Sequence, residues 1–328
     1  MEHLRRSWRF QAIRLWKSYH LPAARVPTSL VGPMPPLLIP LLSALGYAFA
    51  ALMLKRATEG GAGPWRVSFL TNWIQAALFS VLWLFPTEHP ATFTHVTHAM
   101  ASGAVFFVGQ IFTFLALSRG DVSVATPVLG SKVIFVALFT VLLGAAAVTP
   151  ATWAAVALTA LATALLGWGG GAARRDALFR SVLYGFSAAA AFALTDVLQQ
   201  RWVKAWGFSH YAATMFLTVA VLSLGLIPFF HGSLRELPAT ARLWTLAGGT
   251  VLSIQALGIA WSIIAIGATT TNVLYNSRGV WSVVLVWTVG HWFGNAERSQ
   301  GRAVMFRRLA GSALLLAAIA LIAKQHPA

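Results

Sequence analysis

SKVIFVALFTVLLG, residues 131–144, decides the reading of this chain, because SRGVWSVVLVWTVG, residues 277–290, repeats its plan. Each stretch opens on serine, sets one cation next (Lys132 or Arg278), and runs apolar to a closing glycine. Upstream of each, one glutamine stands in its own apolar segment, Gln110 in the first case and Gln255 in the second. The glutamines lie 145 residues apart and the cations 146. A charge inside lipid is costly, so it faces a cavity or a partner rather than hydrocarbon. Two cations in matched places predict two halves of one plan around a shared central region.

Composition sets the solvent. The chain is 58% hydrophobic and 10% charged, with mean hydropathy +0.71. A soluble domain carries roughly 25% charged residues, so this is a polytopic membrane protein whose first partner is the lipid bilayer. The net charge of +16 sits in the N-terminal tail and in short connectors. Membrane topology and anionic lipid account for it, and no nucleic-acid-binding pattern is present. Cysteine is absent, which excludes disulfides and thiolate chemistry. No metal-ligand cluster, P-loop or paired intramembrane carboxylates stand in the sequence, so it predicts no enzyme and no cofactor. His95, His98, His210 and His291 are spread near span ends and read as interfacial.

Ten apolar segments are long enough to span at about 20 residues each. They run roughly 36–54, 67–85, 100–118, 123–143, 152–169, 178–198, 211–230, 243–263, 270–292 and 308–323. The expected organisation is a basic tail (1–35), a five-helix repeat (36–170), a linker (171–177) just after the Gly-rich Gly169-Gly170-Gly171, and a second five-helix repeat (178–324). Five spans per half is an odd number, so the second half enters from the opposite side and the repeats are inverted. The fold class is therefore all-α, with ten transmembrane helices in two inverted five-helix repeats. Gly185, Ala189 and Ala193 give the sixth span a small-residue face for close packing. Trp65, Trp153, Trp168, Trp206 and Trp292 fall near predicted span ends, as an aromatic belt would.

Thirteen Lys/Arg, among them Arg66, stand in odd connectors, against Arg201 and Lys204 in even ones. That bias puts odd connectors in the cytoplasm. The tail opposes it with Arg5, Arg6, Arg9, Arg14, Lys17 and Arg25. The tail itself reads as an interfacial basic helix, a disordered segment, an organelle transit peptide, or sequence ahead of a start at Met34.

Lys132 and Arg278 are the expected substrate contacts, taking a carboxylate, phosphate or sulfonate. Arginine offers a bidentate fork and lysine a compact charge. The dull alternative is that both hold helix-end carbonyls or a carboxylate. Asp196 is the only acid inside a span, a candidate charge partner or proton-coupling group; it could equally pair with Arg201 or Lys204 at the interface. Gln110, Gln255, Tyr275 and Asn276 are expected to orient the substrate, with Asn72 and Tyr184 weaker candidates. Pro127 is expected to kink the fourth span just before Lys132. The pattern predicts a secondary transporter of a small anionic metabolite working by alternating access. The rival within that class carries neutral or cationic amphiphiles, with both cations structural. More remote rivals are a membrane scaffold and an embedded enzyme. A homodimer is left open.

Two stretches carry a family resemblance: SRGDVSVATPVLGSKVIFVALFTVLLG (118–144) and FGNAERSQGRAVMFRRLAGSALLLAAIALI (293–322). Together with the ten-span plan, they resemble the drug/metabolite transporter superfamily, in its EamA-like group, over about residues 36–324. Glu297-Arg298 and Gly311 resemble that group's Gly-Glu-Arg and following glycine, whereas Gly144-Ala145-Ala146 has no such pair after it. The resemblance implies an inner (plasma) membrane exporter or exchanger with cytoplasmic termini. Related sugar-phosphate and nucleotide-sugar carriers hold phosphate with Lys or Arg on spans four and nine, where Lys132 and Arg278 stand. Val273–Arg278 is loosely similar to the Gly-Ala-Leu-Asn-Lys motif of the nucleotide-sugar branch.

Overall fold

A computed structural model describes residues 36–87, 89–119, 128–167, 175–288 and 302–325. Among them every regular element is helical. The first half holds α1 (Leu38–Ala57), α2 (Pro64–Ser80), α3 (Phe93–Arg119), α4 (Lys132–Leu142) and α5 (Pro150–Gly167). The second holds α6 (Arg175–Trp206), α7 (Phe208–Leu222), α8 (Ala239–Ile266), α9 (Ala268–Tyr275), α10 (Arg278–Thr288) and α11 (Arg302–Gln325). Six helical stretches are long and apolar enough to cross a membrane: Leu38–Ala62, Pro64–Leu84, Phe93–Ala116, Val182–Trp206, Phe208–Phe229 and Ala239–Ile266. Val128–Leu142, Pro150–Leu165 and Ala310–Ile322 are shorter apolar helices. This is a multi-pass helical membrane protein, and apolar side chains such as Leu42, Leu84, Ile254 and Leu316 stand exposed on its outside.

The ninth predicted span corrects the sequence reading. It is not one helix over 270–292: the chain turns at Asn276 and Ser277, between α9 and α10. Arg278 therefore opens a helix instead of lying within one. Lys132 likewise opens α4, after a turn at Ser131 that follows one helical turn from Val128. The kink expected at Pro127 lies outside the described residues, as do Trp168, Trp292 and His291.

Local chemistry explains the other joints. Pro64 starts α2, where a missing N–H costs nothing, and Gly63 ahead of it has φ 70°. Gly267 (φ 86°) turns the chain between α8 and α9, a conformation an L side chain resists. Packing is close where side chains are small. α3 packs on α6 and α7, α8 packs on α1 and α2, and α5 packs on α11. A Cβ on Gly103 of α3 would meet the Met215 carbonyl of α7 at 2.5 Å; one on Gly248 of α8 would meet Leu54 of α1 at 2.9 Å. Ala189 and Ala193 are fully buried, as the small-residue face of α6 predicts.

Arg66, counted among the connector cations, is a buried clamp. Its Nε donates to the Ala62 carbonyl (2.6 Å), Nη2 to Gly61 (2.7 Å) and Nη1 to Ser233 (3.0 Å). That ties the α1–α2 connector to the α7–α8 connector at one end of the molecule. At the other end of α2, Thr87 lies beside Gly207 between α6 and α7. These two contacts lie at opposite ends of the Pro64–Leu84 helical stretch, about 30 Å apart at 1.5 Å per residue.

Candidate functional site

Two helix breaks define the site, and their backbones are alike. The Ser131 N–H donates to the Val128 carbonyl (3.0 Å), and the Ser131 carbonyl accepts from Ile134 (2.9 Å) and Phe135 (3.4 Å). At Ser277 the N–H donates to Leu274 (3.1 Å), and the carbonyl accepts from Val280 (2.9 Å) and Trp281 (3.1 Å). The next residue in each case is the cation. A side-chain cation therefore stands at the start of each helix, an arrangement that repels cations and favours an anion.

The surroundings of the two cations differ. The Lys132 ammonium lies 2.7 Å from Asp196 Oδ2 on α6, with both side chains largely buried. Asn272 of α9 donates its Nδ2 to the same oxygen (2.7 Å) and to the Ala268 carbonyl (2.9 Å). The competing expectation, that Asp196 pairs with Arg201 or Lys204 at the interface, does not hold. One turn further along, Gln199 donates to the Ala260 carbonyl (3.0 Å), and Gln200 accepts from the Ala268 N–H (2.6 Å). This end of α6 is therefore pinned to α8 and to the start of α9.

Arg278 sits between two rings. Its guanidinium carbon is 5.0 Å from the Tyr47 ring centre on α1 and 4.9 Å from that of Tyr275. The two rings meet edge to face at 5.9 Å. The Tyr275 hydroxyl donates to Gln255 Oε1 (3.0 Å), and Gln255 donates to the Leu252 carbonyl (3.0 Å). Such a cation over aromatic faces gains roughly 1–2 kcal/mol when desolvated. Arg278, Lys132 and Asp196 lie close enough to act on one another electrostatically. Asn276 is buried in the turn that separates Tyr275 from Arg278.

Gln110 stands apart from this group. It forms a reciprocal pair with Asn72 of α2, Asn72 Nδ2 to Gln110 Oε1 at 3.1 Å and Gln110 Nε2 to Asn72 Oδ1 at 2.9 Å. The two glutamines matched in sequence thus do different work, one bridging α2 and α3 and the other fixing Tyr275. Tyr184 stacks near Phe112, with ring centres 6.2 Å apart. Sequence reasoning missed Tyr47 and Asn272. Asn272 carried a weak signal, one helical turn before Asn276; Tyr47 carried none. His98 stacks on Trp202 with ring centres 4.1 Å apart, and His95 and His210 flank a buried Trp206, which therefore belongs to no aromatic belt.

Comparison with known proteins agrees with the fold. Residues 34–168 match the EamA-like transporter family, in line with the drug/metabolite transporter superfamily. A protein of known crystal structure, 20% identical in sequence, aligns over 87% of this chain and 97% of its own with TM-score 0.69. No curated protein matches the chain.

Proposed function

Starting from the EamA-like transporter pattern of residues 34–168, we propose that this protein is a secondary active transporter of a small anionic metabolite, exporting or exchanging it across the inner (plasma) membrane. Its plan is ten spans in two inverted halves, with α9 and α10 together forming the ninth span. Helix packing supports this. Exchanging each span for its counterpart five further on turns the α3–α6 contact into α8–α1, α3–α7 into α8–α2, and α4–α6 into the contact of α9 and α10 with α1. The α5–α11 contact maps onto itself. A two-fold axis in the membrane plane requires that exchange.

The observation that carries the anionic reading is the pair of matched breaks before Lys132 and Arg278. Broken helices whose N-termini meet near mid-membrane are a recurrent way to bind anionic groups. Arg278 would grip a carboxylate or phosphate while Tyr275, Gln255 and Asn276 hold its orientation. Lys132 would add a second charge. Rocking of one half on the other would expose the region to each side in turn, driven by an ion gradient or by exchange.

One observation favours the rival, a carrier of neutral or cationic amphiphiles. Lys132 already has its carboxylate and Arg278 its two rings, as structural cations would. Thermal unfolding of the purified protein against carboxylates, phosphates, cations and neutral metabolites separates the two. Ligands that bind the native state raise its midpoint with concentration. Stabilisation by anions that is lost in Arg278→Gln supports the proposal. Stabilisation by cations or neutral compounds alone, or an anion effect that survives Arg278→Gln and Lys132→Gln, overturns it.

A further inference from the structure

Hydroxyls inside these helices are mostly spent on their own backbone. Thr113, Thr159, Thr195, Thr218, Thr245 and Ser262 each donate to the carbonyl four residues back, at 2.7–3.0 Å. A hydroxyl bonded in that way has no proton left for a ligand. Thr71, midway along the Pro64–Leu84 stretch, departs from the pattern. Its Oγ1 is buried with no partner, and so is Oε1 of Gln75 one turn on; the two residues are only 5% and 2% exposed. A donor and an acceptor left orphaned side by side cost stability, and such a pair calls for an explanation.

Their place on the helix supplies one. Residues four apart share a helix face. Ile74 of α2 lies against Gly249 of α8, and Asn72 bonds Gln110 of α3. At 100° per residue, Thr71 and Gln75 fall on the arc between those two contacts, roughly 60° and 100° round from Ile74 toward Asn72. They therefore point at the seam between α3 and α8, the matched spans that carry Gln110 and Gln255. Gln255 holds Tyr275 beside Arg278. It lies roughly 120° round α8 from Gly249, so α8 turns one flank to α2 and another to the anion site. One helix diameter, roughly 10 Å, separates the two places, about the reach of a six-carbon acid.

We propose that Thr71 and Gln75 form a hydroxyl-binding subsite, and that the substrate is a polyhydroxylated anion with its charged end at the matched cations and a hydroxyl between these two side chains. This rests on the anionic reading above for the charged end. A hydroxyl matches both orphaned atoms at once, accepting from the Thr71 Oγ1–H and donating to Gln75 Oε1. Asn72 and Gln110 are bonded to each other and fix one wall of the subsite. An apolar chain in the same place leaves both atoms orphaned, so the subsite discriminates against amphiphiles. A resident water offers the same hydroxyl chemistry, and the experiment separates it from a substrate hydroxyl.

The probes are radiolabelled D-gluconate and hexanoate, which share a six-carbon chain and a single negative charge. Equilibrium dialysis on the full-length protein in detergent, with empty micelles as the blank, reads their affinities. Wild type should bind gluconate more tightly by about tenfold or more. Thr71→Val and Gln75→Leu should each lose about tenfold in gluconate affinity, keep their hexanoate affinity, and unfold no earlier than wild type without ligand. Thr71→Ser, which keeps the hydroxyl, should keep gluconate binding. Equal loss of both ligands in the variants marks a structural role and counts against the subsite. Hexanoate bound as well as gluconate by wild type needs no variant to be read. That result, or a gluconate preference that survives both substitutions, overturns the subsite, leaves the anionic reading standing and assigns the pair to a resident water. Gluconamide and hexanamide, the uncharged counterparts, run alongside. If neither acid binds but gluconamide does, with the same loss in the variants, the anionic reading fails and the subsite stands. If none of the four binds, both fail.

Discussion

Removing the Lys132 charge alone should be among the most damaging single changes in the molecule, and removing its partner as well should repair much of the damage. The ion pair is 2.7 Å long, with side-chain exposures of 15% for Lys132 and 11% for Asp196. At an effective dielectric of about 20, its Coulomb attraction is roughly 6 kcal/mol. Desolvating the two ions costs several kcal/mol each, so the net worth of the pair is near zero. Breaking it is different. Lys132→Met leaves the Asp196 carboxylate with one amide donor, and a stranded buried charge costs about 3–5 kcal/mol. Asp196→Leu leaves an ammonium with Arg278 near it and should cost a similar amount. The double variant strands nothing and should lie within about 1–2 kcal/mol of wild type, giving a coupling energy of several kcal/mol. Equilibrium unfolding in detergent micelles, run as a double-mutant cycle at pH 7, reads this directly. Additive losses in the double variant would refute the reasoning, because they would mean the two side chains stabilise the fold independently.

Other consequences can be checked the same way. Gly103→Ala drives a Cβ to 2.5 Å from the Met215 carbonyl and should cost about 1–3 kcal/mol by overpacking, while Gly225→Ala, which meets open space, should leave the unfolding midpoint nearly unchanged. Arg66→Met removes three bonds to carbonyls; backbone hydrogen exchange should speed up in both 58–63 and 231–237, and a rise confined to one connector would count against the clamp. Thr71 Oγ1 and Gln75 Oε1 are buried one turn apart on α2 without a partner, so Thr71→Val and Gln75→Leu should each raise the midpoint, the relief being about 1 kcal/mol or more per orphaned group. Tyr275→Phe keeps the ring under Arg278 but removes the bond to Gln255, so it should weaken anion stabilisation less than Arg278→Gln does; equal loss in both would assign the anion to the hydroxyl.

The membrane class and most helix positions were legible in the chain because each rests on a pattern that survives projection onto one dimension. Apolar length reports hydrocarbon thickness, and Ser131-Lys132 and Ser277-Arg278 reported a repeated local structure by their common offset. The chain also marked Asp196 as the single intramembrane acid. Partnership was not legible. Asp196 had Arg201 and Lys204 close in sequence, yet it meets Lys132, 64 residues away, because α4 and α6 pack side by side. Arg66 looked like a connector charge until three carbonyls converged on it from two separate loops. The break at Asn276-Ser277 was hidden too: hydropathy scores side chains, whereas a helix breaks through backbone hydrogen bonds, and those are satisfied here by local turns. That Lys132 meets Asp196 and Arg278 meets Tyr47 depends on what α6 and α1 present to them, and only the tertiary packing decides that.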